Sequence, residues 1–340
     1  MRRPDKQEQA VLPTVDVVIP CYCYGRFLRE CVQSMLEQAD VAVRVLIIDD
    51  ASPDGSGEIA RDIALGDPRV TTLVHASNRG HIATYNEGMD WAEADCFLLL
   101  SADDYLLPGA LARAAGHIAA DGAIAFCFGN AQLLDIDGHA TPIRPLPKAR
   151  ADTVLEGIRF IELSGASNIV PTPTAVVRTA MQKAAGHYRP ELHHSGDMEM
   201  WLRLAALGRV AFVNADQAVY RRHAANMSLW TADAALPELR QREAAIEAFI
   251  LNCKAAAARS HAVQLRFDRA LGQEALRMAH IAFNAGEMAA CQEITAYARQ
   301  IDPGIEWSLP FLKLSTKRAI GPTAWRRLAS ARRMMSPRHP

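Results

Sequence analysis

Two pairs of adjacent aspartates are the residues of this chain whose types and spacing could do chemistry. Asp49 and Asp50 follow the apolar run V-L-I-I, and Asp103 and Asp104 follow C-F-L-L-L-S-A. Adjacent carboxylates repel each other unless a cation lies between them and a ligand. Mg²⁺ or Mn²⁺ bridging the oxygens of a diphosphate would relieve this repulsion. Turn or helix-entry chemistry is the alternative interpretation, because S-P-D-G follows the first pair and a proline follows the second.

The chain lacks the glycine-rich loops with which many parallel-sheet enzymes bind phosphate. The segment V-V-I-P-C-Y-C-Y-G-R-F-L holds one glycine, Gly25, and matches no G-x-G-x-x-G turn. The sequence also contains no G-x-x-x-x-G-K-[ST] loop. A parallel-sheet enzyme without such a loop often neutralises a diphosphate with a divalent cation on carboxylates. The aspartate pairs therefore predict a metal-assisted phosphate site.

Short β-branched segments alternate with longer amphipathic ones through residues 15–131. This alternation indicates βαβ units and a mostly parallel, buried sheet. The predicted strands are 15–20, 43–49, 70–75, 96–100 and 123–128, and the predicted helices are 27–38, 57–64, 82–92 and 108–120. Ligands of such sheets bind at the carboxyl ends of the strands, which is where both aspartate pairs lie.

Several motifs in a fixed order carry a family resemblance. They are V-V-I-P-C-Y-x-Y-x-x-F-L, I-I-D-D-A-S-x-D, N-R-G-x-x-x-x-x-N-x-G and L-L-x-A-D-D, followed by H-H-S-G-D-M-E-M-W-L-R-L and Y-R-R-H-A-A-N-M-S. Together they resemble glycosyltransferase family 2, over about residues 14–230. The resemblance implies the GT-A fold, an α/β architecture with a Rossmann-like, mostly parallel sheet and flanking helices.

The resemblance also implies a nucleotide site and a metal site. Pro20 and Tyr22 match the segment that lies against the nucleotide base, and Asp50 matches the carboxylate that accepts a hydrogen bond from it. The family's D-x-D motif falls on Ser101, Ala102 and Asp103. Its first two positions are assigned to the nucleotide site and Asp103 to the metal. Because Ser101 replaces the first carboxylate, Asp104 is a candidate substitute ligand, and His223 matches a late histidine that can reach the metal or the diphosphate. Cys23 stands where an asparagine is usual.

Asp197 matches the family's general-base position. Its alternative is helix capping, since it lies near the start of an amphipathic helix where a carboxylate is favoured. Glu199 is the second candidate for the base. The implied reaction is inversion at the anomeric carbon by direct displacement, from a UDP-sugar to a hydroxyl of a carbohydrate or lipid-linked acceptor. The cofactor is Mg²⁺ or Mn²⁺, and the setting is polysaccharide or glycoconjugate assembly.

Two other classes of function remain open. A sugar nucleotidyltransferase would also combine a parallel sheet with a metal, but it needs a basic phosphate-binding loop after the first strand, where only Arg26 is basic. A non-catalytic sugar-binding relative would need none of the carboxylates. The departures at Ser101 and Gly196 from the usual family residues keep this second class open.

The C-terminal third differs in composition from the rest. Residues 236–304 are alanine-rich and predict a helical extension, with a helical hairpin at 262–284 and 287–300 that favours packing or homo-oligomerisation. Residues 308–340 hold eight Lys and Arg and no Asp or Glu, together with Trp325. Such a basic tail predicts peripheral contact with anionic lipid.

Bulk properties exclude several classes of protein. The chain has 340 residues, of which 22% are charged, and a formal net charge of −1, so nothing in its charge indicates a nucleic-acid partner. Its first ten residues are charged and polar, unlike a signal peptide, and no apolar run reaches 18 residues. The seven cysteines are odd in number and lack zinc-site spacing, which favours reduced thiols. We therefore expect a cytoplasmic protein, with peripheral contact at the inner face of the membrane.

Overall fold

The computed structural model describes residues 12–223, 226, 232–253 and 260–325. Contacts between Cα atoms divide the chain into two compact units. The first comprises residues 1–161 and 168–226, and the second comprises residues 162–167 and 227–340.

The first unit is built on a sheet of ten strands. They are β1 (Thr14–Cys21), β2 (Ala42–Asp49), β3 (Val70–Val74), β4 (Cys96–Leu99), β5 (Tyr105–Leu106), β6 (Ile124–Leu134), β7 (Ala140–Ile143), β8 (Thr153–Leu155), β9 (Val176–Arg178) and β10 (Arg209–Arg221). Their order across the sheet is β3-β2-β1-β4-β9-β6-β10-β5, with β7 beside β6 and β8 beside β10. Strands β1 to β4 pair in parallel, as do β6 and β10, whereas β5, β7, β8 and β9 join antiparallel.

The helices along this part of the chain alternate with the strands. They are α1 (Gly25–Leu36), α2 (Ser56–Gly66), α3 (His81–Trp91), α4 (Ala110–Ala120), α5 (Gly157–Ser164), α6 (Thr179–Ala185) and α7 (Gly196–Leu207). The five predicted strands and four predicted helices are confirmed as β1 to β4, β6 and α1 to α4, with small shifts at the ends, whereas the two-residue β5 was not predicted. The α/β architecture predicted from the sequence is therefore present.

Burial explains why these segments form strands. Val15, Val17 and Ile19 of β1 are inaccessible to solvent, and all four residues of β4 are buried. Strands covered on both faces read as continuous apolar runs. Gly88 lets α3 approach this sheet, because a Cβ there would lie 2.3 Å from Cγ1 of Val18. Close packing of α3 fixes the position of the tyrosine it carries, Tyr85.

The second unit is helical. Its longer elements are α8 (Ala232–Asn252), α9 (His261–Ala285), α10 (Met288–Ile301) and α11 (Leu309–Ile320), with a 3-10 turn at Pro303–Trp307. Ser260 caps α9 by accepting from the amide of Val263, and Gly286, at φ 92°, ends it in the left-handed conformation that glycine adopts most easily. The predicted helical hairpin thus forms as α9 and α10. None of the helices in the described part of the chain has the length and apolar character that a membrane span requires.

Candidate active site

Asp103 follows the carboxyl end of β4 and is 3% exposed. Its Oδ2 lies 3.0 Å from Nε2 of His223 and accepts a hydrogen bond of 3.2 Å from the amide nitrogen of the Asn226 side chain. Its Oδ1 accepts from the hydroxyl of Ser101. Ser101, which stands at the first position of the D-x-D motif, therefore orients the carboxylate of Asp103 at the third position.

His223 is held by aromatic rings as well as by Asp103. Its ring stacks on Phe27 at a centroid distance of 5.3 Å and meets the edge of Tyr24 at the same distance. A carboxylate oxygen and an imidazole nitrogen that face each other are a donor pair suited to a divalent transition-series cation such as Mn²⁺. The residues present therefore fit the metal that the sequence predicts, through Asp103 and His223.

Asp104 has a different environment from Asp103. Its Oδ1 accepts from the backbone amide of Arg221 at 2.9 Å, which joins the segment before β5 to β10. Burial, followed by the neighbouring charge of Asp103, raises the pKa of Asp104 well above its usual range, although Arg221 opposes this. A buried carboxyl that closes a strand contact is poorly placed to bind a cation. The contacts therefore favour Asp103 over Asp104 as the candidate metal ligand, and the role of Asp104 stays a prediction.

Arg221 supplies a positive charge beside this aspartate pair. Its guanidinium donates to the backbone oxygen of Asp103 at 3.2 Å and to Glu30 at 2.6 Å. It also lies over the rings of Phe27 and Tyr105, 5.0 and 4.9 Å from their centroids. Part of the repulsion between the two carboxylates is therefore relieved by the protein itself.

Another group of metal-type side chains lies in the exposed turn between β6 and β7. Ligand atoms of Asp135, Asp137 and His139 lie within 4.8 Å of one another. The carboxylate of Asp135 accepts from the backbone amides of Asp137 at 3.0 Å and His139 at 2.8 Å. These bonds close the turn, as aspartates commonly do. We therefore regard this group as turn chemistry.

Asp50 lies at the carboxyl end of β2 and is 4% exposed. Its Oδ1 lies 2.6 Å from Nδ1 of His75 and accepts from the amide of Arg79 at 2.8 Å, while Oδ2 accepts from the amide of Gly80 at 2.9 Å. Burial alone would raise the pKa of Asp50, but these hydrogen bonds, with that of His75 the largest, lower it below its ordinary value. Asp50 is thus a fixed carboxylate acceptor.

His75 was missed by the sequence analysis. Its Nδ1 faces Asp50, and its Nε2 lies 2.8 Å from Oε2 of Glu87, which also pairs with the Arg79 guanidinium at 2.7 Å. The histidine ring is therefore held at both ends by carboxylates. The sequence signal was only a lone histidine after a strand, which is more often structural.

Pro20 and Tyr22 lie beside Asp50, at the end of β1. Cys21 is paired with Asp49 in the parallel register of β1 and β2, and Cys21 O accepts from the amide of Asp50 at 2.9 Å. Tyr22 is 48% exposed and Pro20 is half-buried. Asp49 is turned towards Gly57 of α2, and its Oδ2 accepts from the amide of Ser52 in the turn before that helix. The structure thus brings Pro20, Tyr22 and Asp50 to one edge of the sheet.

The structure explains how the chain accommodates Ala102 and Cys23 within the family pattern. Ala102 is fully buried, so it can offer a nucleotide only its backbone. Cys23 has φ 61°, in the left-handed region where asparagine is favoured over most other side chains. The position where an asparagine is usual thus retains the backbone that asparagine suits.

Asp197 lies in the first turn of α7, whose N-cap residue is Ser195. Its Oδ2 accepts from the hydroxyl of Thr172 at 3.0 Å, and the carboxylate also bonds to the side chain of Tyr188. Burial raises the pKa of Asp197, against the effect of these two hydrogen bonds. A carboxylate with increased proton affinity is suited to general-base work near neutral pH.

Glu199, the second candidate for the base, is inaccessible to solvent. Its two oxygens are bound by Arg189 at 3.0 Å and by Arg203 at 2.8 Å. A fully buried carboxylate with an arginine on each oxygen fixes the fold around α7. It offers no free oxygen to an acceptor, so Asp197 is the better candidate.

Tyr85 of α3 packs against Tyr188, the tyrosine that bonds to Asp197. Burial, followed by the negative charges of Asp197 and Asp103, raises the pKa of its hydroxyl. Its ring meets the edges of Tyr188 and His81 at 5.5 and 5.4 Å. The sequence analysis missed Tyr85, Thr172 and Tyr188, because isolated aromatic and hydroxyl residues look the same in a core as in a cleft.

A comparison with protein families identifies the first part of this cleft. Residues 16–158 match the model described as "Glycosyl transferase family 2". These residues are therefore similar to glycosyltransferase family 2. The matched segment contains Asp50, Asp103 and Tyr85, whereas Asp197 and His223 lie beyond it. The assignment of these two residues to the same candidate site rests on geometry and on the order of the motifs.

Individual proteins resemble the chain over different lengths. The "Uncharacterized glycosyltransferase EpsJ" of Bacillus subtilis is 32% identical over 96 residues, which are 28% of each protein. The S. aureus TarS 1-349 structure with UDP-GlcNAc has a TM-score of 0.58 and 16% identity, over 84% of this chain and 92% of that one. The Pyrobaculum calidifontis mannosyltransferase PcManGT, with GDP-Man and Mn²⁺, has a TM-score of 0.55 and 16% identity. The match covers 91% of this chain and 85% of the mannosyltransferase. The structural likeness shows that the chain shares the fold of these two structures.

Proposed function

We propose that the protein is an inverting glycosyltransferase that moves a sugar from a nucleoside-diphosphate sugar to a hydroxyl acceptor. The observations that carry this proposal are the pairing of Asp103 with His223 and the contacts that link Asp197 through Tyr188 to Tyr85. A site for the diphosphate and a base for the acceptor are the two functions that direct displacement needs.

The nucleotide would bind at the edge formed by Pro20, Tyr22 and Asp50. Within the described part of the chain, Oδ2 of Asp50 accepts one hydrogen bond, from the amide of Gly80, and a carboxylate oxygen can accept a second. A base with an N–H group, such as uracil, could supply it. UDP-GlcNAc in the TarS structure supports a UDP-sugar, and GDP-Man in the mannosyltransferase makes the guanine nucleotide the comparison to test.

Asp103 and His223 would hold Mg²⁺ or Mn²⁺, as the Mn²⁺ of the mannosyltransferase structure supports. When bound, this cation would offset the negative charge of the leaving diphosphate. Ser101 and Asn226 orient the carboxylate of Asp103, and Phe27 supports the ring of His223. Ser101 and Ala102 would line the path between this site and the nucleotide.

Asp197 would take the proton of the acceptor hydroxyl. Thr172 and Tyr188 hold its carboxylate, and its raised pKa strengthens its attraction for that proton. A displacement in one step needs no covalent nucleophile. We propose a carbohydrate or lipid-linked acceptor, in polysaccharide or glycoconjugate assembly.

Incubation of the protein with UDP-glucose, UDP-GlcNAc and GDP-mannose tests this function, with Mn²⁺ or with a chelator. We expect release of the nucleoside diphosphate from one donor class, in a reaction that depends on the cation. Tight donor binding without release would indicate a sugar-binding relative. Formation of nucleotide sugar from a nucleoside triphosphate and a sugar phosphate would indicate a nucleotidyltransferase.

A further inference from the structure

Helix α11 exposes apolar side chains and buries a charged one. Leu309 and Leu312 are 82% and 50% exposed, Ile320 is 38% exposed, and Trp307, just before the helix, is 86% exposed. Lys317 is only 6% exposed. At 100° per residue, the three apolar positions of the helix fall within an arc of about 80°. We call Trp307, Leu309, Leu312, Lys313 and Ile320 the α11 surface.

A groove of about 450 Å³ borders this surface. It is lined by His280, Leu309, Pro310, Lys313 and Lys317. The ammonium group of Lys317 donates to the side-chain oxygen of Asn284 at 3.1 Å and lies 3.3 Å from Nδ1 of His280. Nε2 of that histidine lies 3.0 Å from the backbone oxygen of Pro310, which makes Nδ1 the acceptor. Lys317 is thus fixed at the groove while its neighbours on the helix face outwards.

The charges of α11 are all of one sign. Its charged residues are Lys313, Lys317 and Arg318, and the nearest acidic residue before it along the chain, Glu306, is bound by Arg299. Burial, followed by the charge of Lys313, lowers the pKa of Lys317, so an anion near the groove would be stabilising. A short helix that exposes leucines beside lysines, with an exposed tryptophan just before it, is typical of segments that lie in the plane of a membrane interface.

We propose that the α11 surface docks on anionic phospholipid. Trp307, Leu309 and Leu312 would enter the boundary between headgroups and acyl chains, and the exposed Lys313 would meet lipid phosphates at the groove. A membrane explains the apolar and basic residues together, because lysine is depleted in protein–protein interfaces whereas basic side chains beside an apolar face suit anionic lipid. This inference does not depend on the proposed transferase activity, since lipid binding needs no sugar donor.

Co-sedimentation of the full chain with vesicles tests the proposal. The vesicles are phosphatidylcholine alone or with phosphatidylglycerol, and the variants are Leu309→Ser/Leu312→Ser, Lys313→Gln and Leu65→Ser. Leu65 of α2 is 88% exposed outside the α11 surface and is therefore the matched control. The arginines of residues 326–340 are the same in every variant, so differences among the variants report on α11.

We expect the wild type and Leu65→Ser to bind the anionic vesicles equally. The double serine variant should bind at least about tenfold more weakly, because leucine side chains lose apolar contact. Lys313→Gln should bind anionic vesicles about fivefold more weakly than the wild type, because it removes one positive charge. Equal binding of the double variant and the wild type would overturn the proposal. The proposal would also be overturned if the wild type bound both kinds of vesicle equally or bound neither. Dissociation of an oligomer by the double variant, measured by light scattering, would instead assign the surface to a contact between copies.

Discussion

Three aspartates of the cleft show how the environment of a carboxyl decides its use. Hydrogen bonds from His75 and two amides hold Asp50 ionised, with its pKa lowered despite burial. Burial raises the pKa of both Asp104 and Asp197, but Asp104 is bound to the backbone of β10, whereas Asp197 is bound to side-chain hydroxyls in the cleft. Under the proposed function, the same residue type would thus serve as a fixed acceptor at Asp50, a structural contact at Asp104 and a base at Asp197.

The metal assignment predicts different effects for two neighbouring aspartates. Asp103→Asn should abolish the Mn²⁺-dependent part of nucleoside-diphosphate binding, because it removes one charged donor of the Asp103–His223 pair. Asp104→Asn should leave that binding nearly unchanged, because a buried carboxyl with a raised pKa resembles an amide. Isothermal titration with Mn²⁺ and with a chelator measures both effects. Asp135→Asn is the matched control from the exposed turn. If nucleoside-diphosphate binding lost its dependence on Mn²⁺ in this variant alone, the metal would be assigned to that turn instead.

His75 should act as a positioning residue for Asp50. His75→Ala leaves the amides of Arg79 and Gly80 on Asp50 but removes the ring that joins it to Glu87. Loss of one such charged hydrogen bond corresponds to roughly a tenfold weaker binding of the nucleotide. The preference for UDP over GDP should fall, whereas a merely structural role would leave that ratio unchanged.

His117→Ala provides the control for the His75 variant. His117 pairs with Asp152 at 2.8 Å in a histidine–aspartate contact that is partly exposed and lies on α4. Its loss should change neither nucleotide affinity nor base preference. Equal behaviour of the two alanine variants would remove His75 from the nucleotide site.

At the scale of elements, periodicity predicted the parallel half of the sheet and missed the antiparallel half. Val15 to Ile19 and the four residues of β4 are apolar runs long enough to be recognised as buried strands. Strand β9 has three residues and β5 has two, too few for any period to appear. Strand direction also depends on partners distant in sequence, as when β9 inserts between β4 and β6.

The same limit applies to the residues of the site. The aspartates were predictable because they follow recognisable strands or lie in family-like motifs. Thr172 and Tyr188 reach Asp197 from a 3-10 turn and a loop, 25 and 9 residues away along the chain. No local pattern encodes such contacts, so only the folded structure reveals how the base is held.

Asp16 predicts a stability effect that belongs to the element scale. Its buried carboxylate joins β1 to Arg44 of β2 at 2.7 and 2.8 Å and accepts from the amides of Glu93 and Ala94 before β4. Asp16→Ala should cost roughly 3–5 kcal/mol of unfolding free energy, because the amides lose a buried partner. Asp67→Ala, which breaks the more exposed pair with Arg69, should cost less than about 1 kcal/mol.

The contribution of Asp16 to the free energy of unfolding should depend on pH, because folding changes the pKa of its carboxyl group. Burial raises the pKa of Asp16, but the bonds from Arg44, Glu93 and Ala94 lower it below the ordinary value of 3.8. A carboxyl whose pKa is lowered by folding stabilises the protein above pH 3.8, and this contribution is lost as the pH falls through the folded-state pKa. Urea unfolding at pH 7 and pH 3 should show the difference between wild type and Asp16→Ala shrinking at the lower pH. A constant difference would contradict the account.

At the scale of the whole molecule, the chain joins two units with different chemistry. The first contains the segment that matches the family 2 model and the candidate active site, and the second is helical and carries the α11 surface. A net charge of −1 hides the basic C-terminal segment, which the sequence did reveal. The exposure of Leu309 beside a buried Lys317 could not be predicted, since it depends on how α11 packs on α9.

The proposed whole-molecule activity depends on Asp197 being a base and not a structural carboxylate. Its raised pKa predicts that the turnover rises with pH through a value above that of an ordinary aspartate, because only the ionised form accepts a proton. Donor binding should not depend on this residue. Binding and transfer must therefore be measured separately on the same protein.

Single-turnover consumption of the preferred nucleotide sugar by wild type, Asp197→Asn and the surface control Asp67→Asn tests this claim most directly. Calorimetry on the same samples gives the donor dissociation constant. We predict unchanged donor affinity in all three proteins and a 10²- to 10⁴-fold slower reaction in Asp197→Asn alone, equivalent to roughly 3–5 kcal/mol of transition-state stabilisation. Consumption of the donor by Asp197→Asn at nearly the wild-type rate would contradict the account.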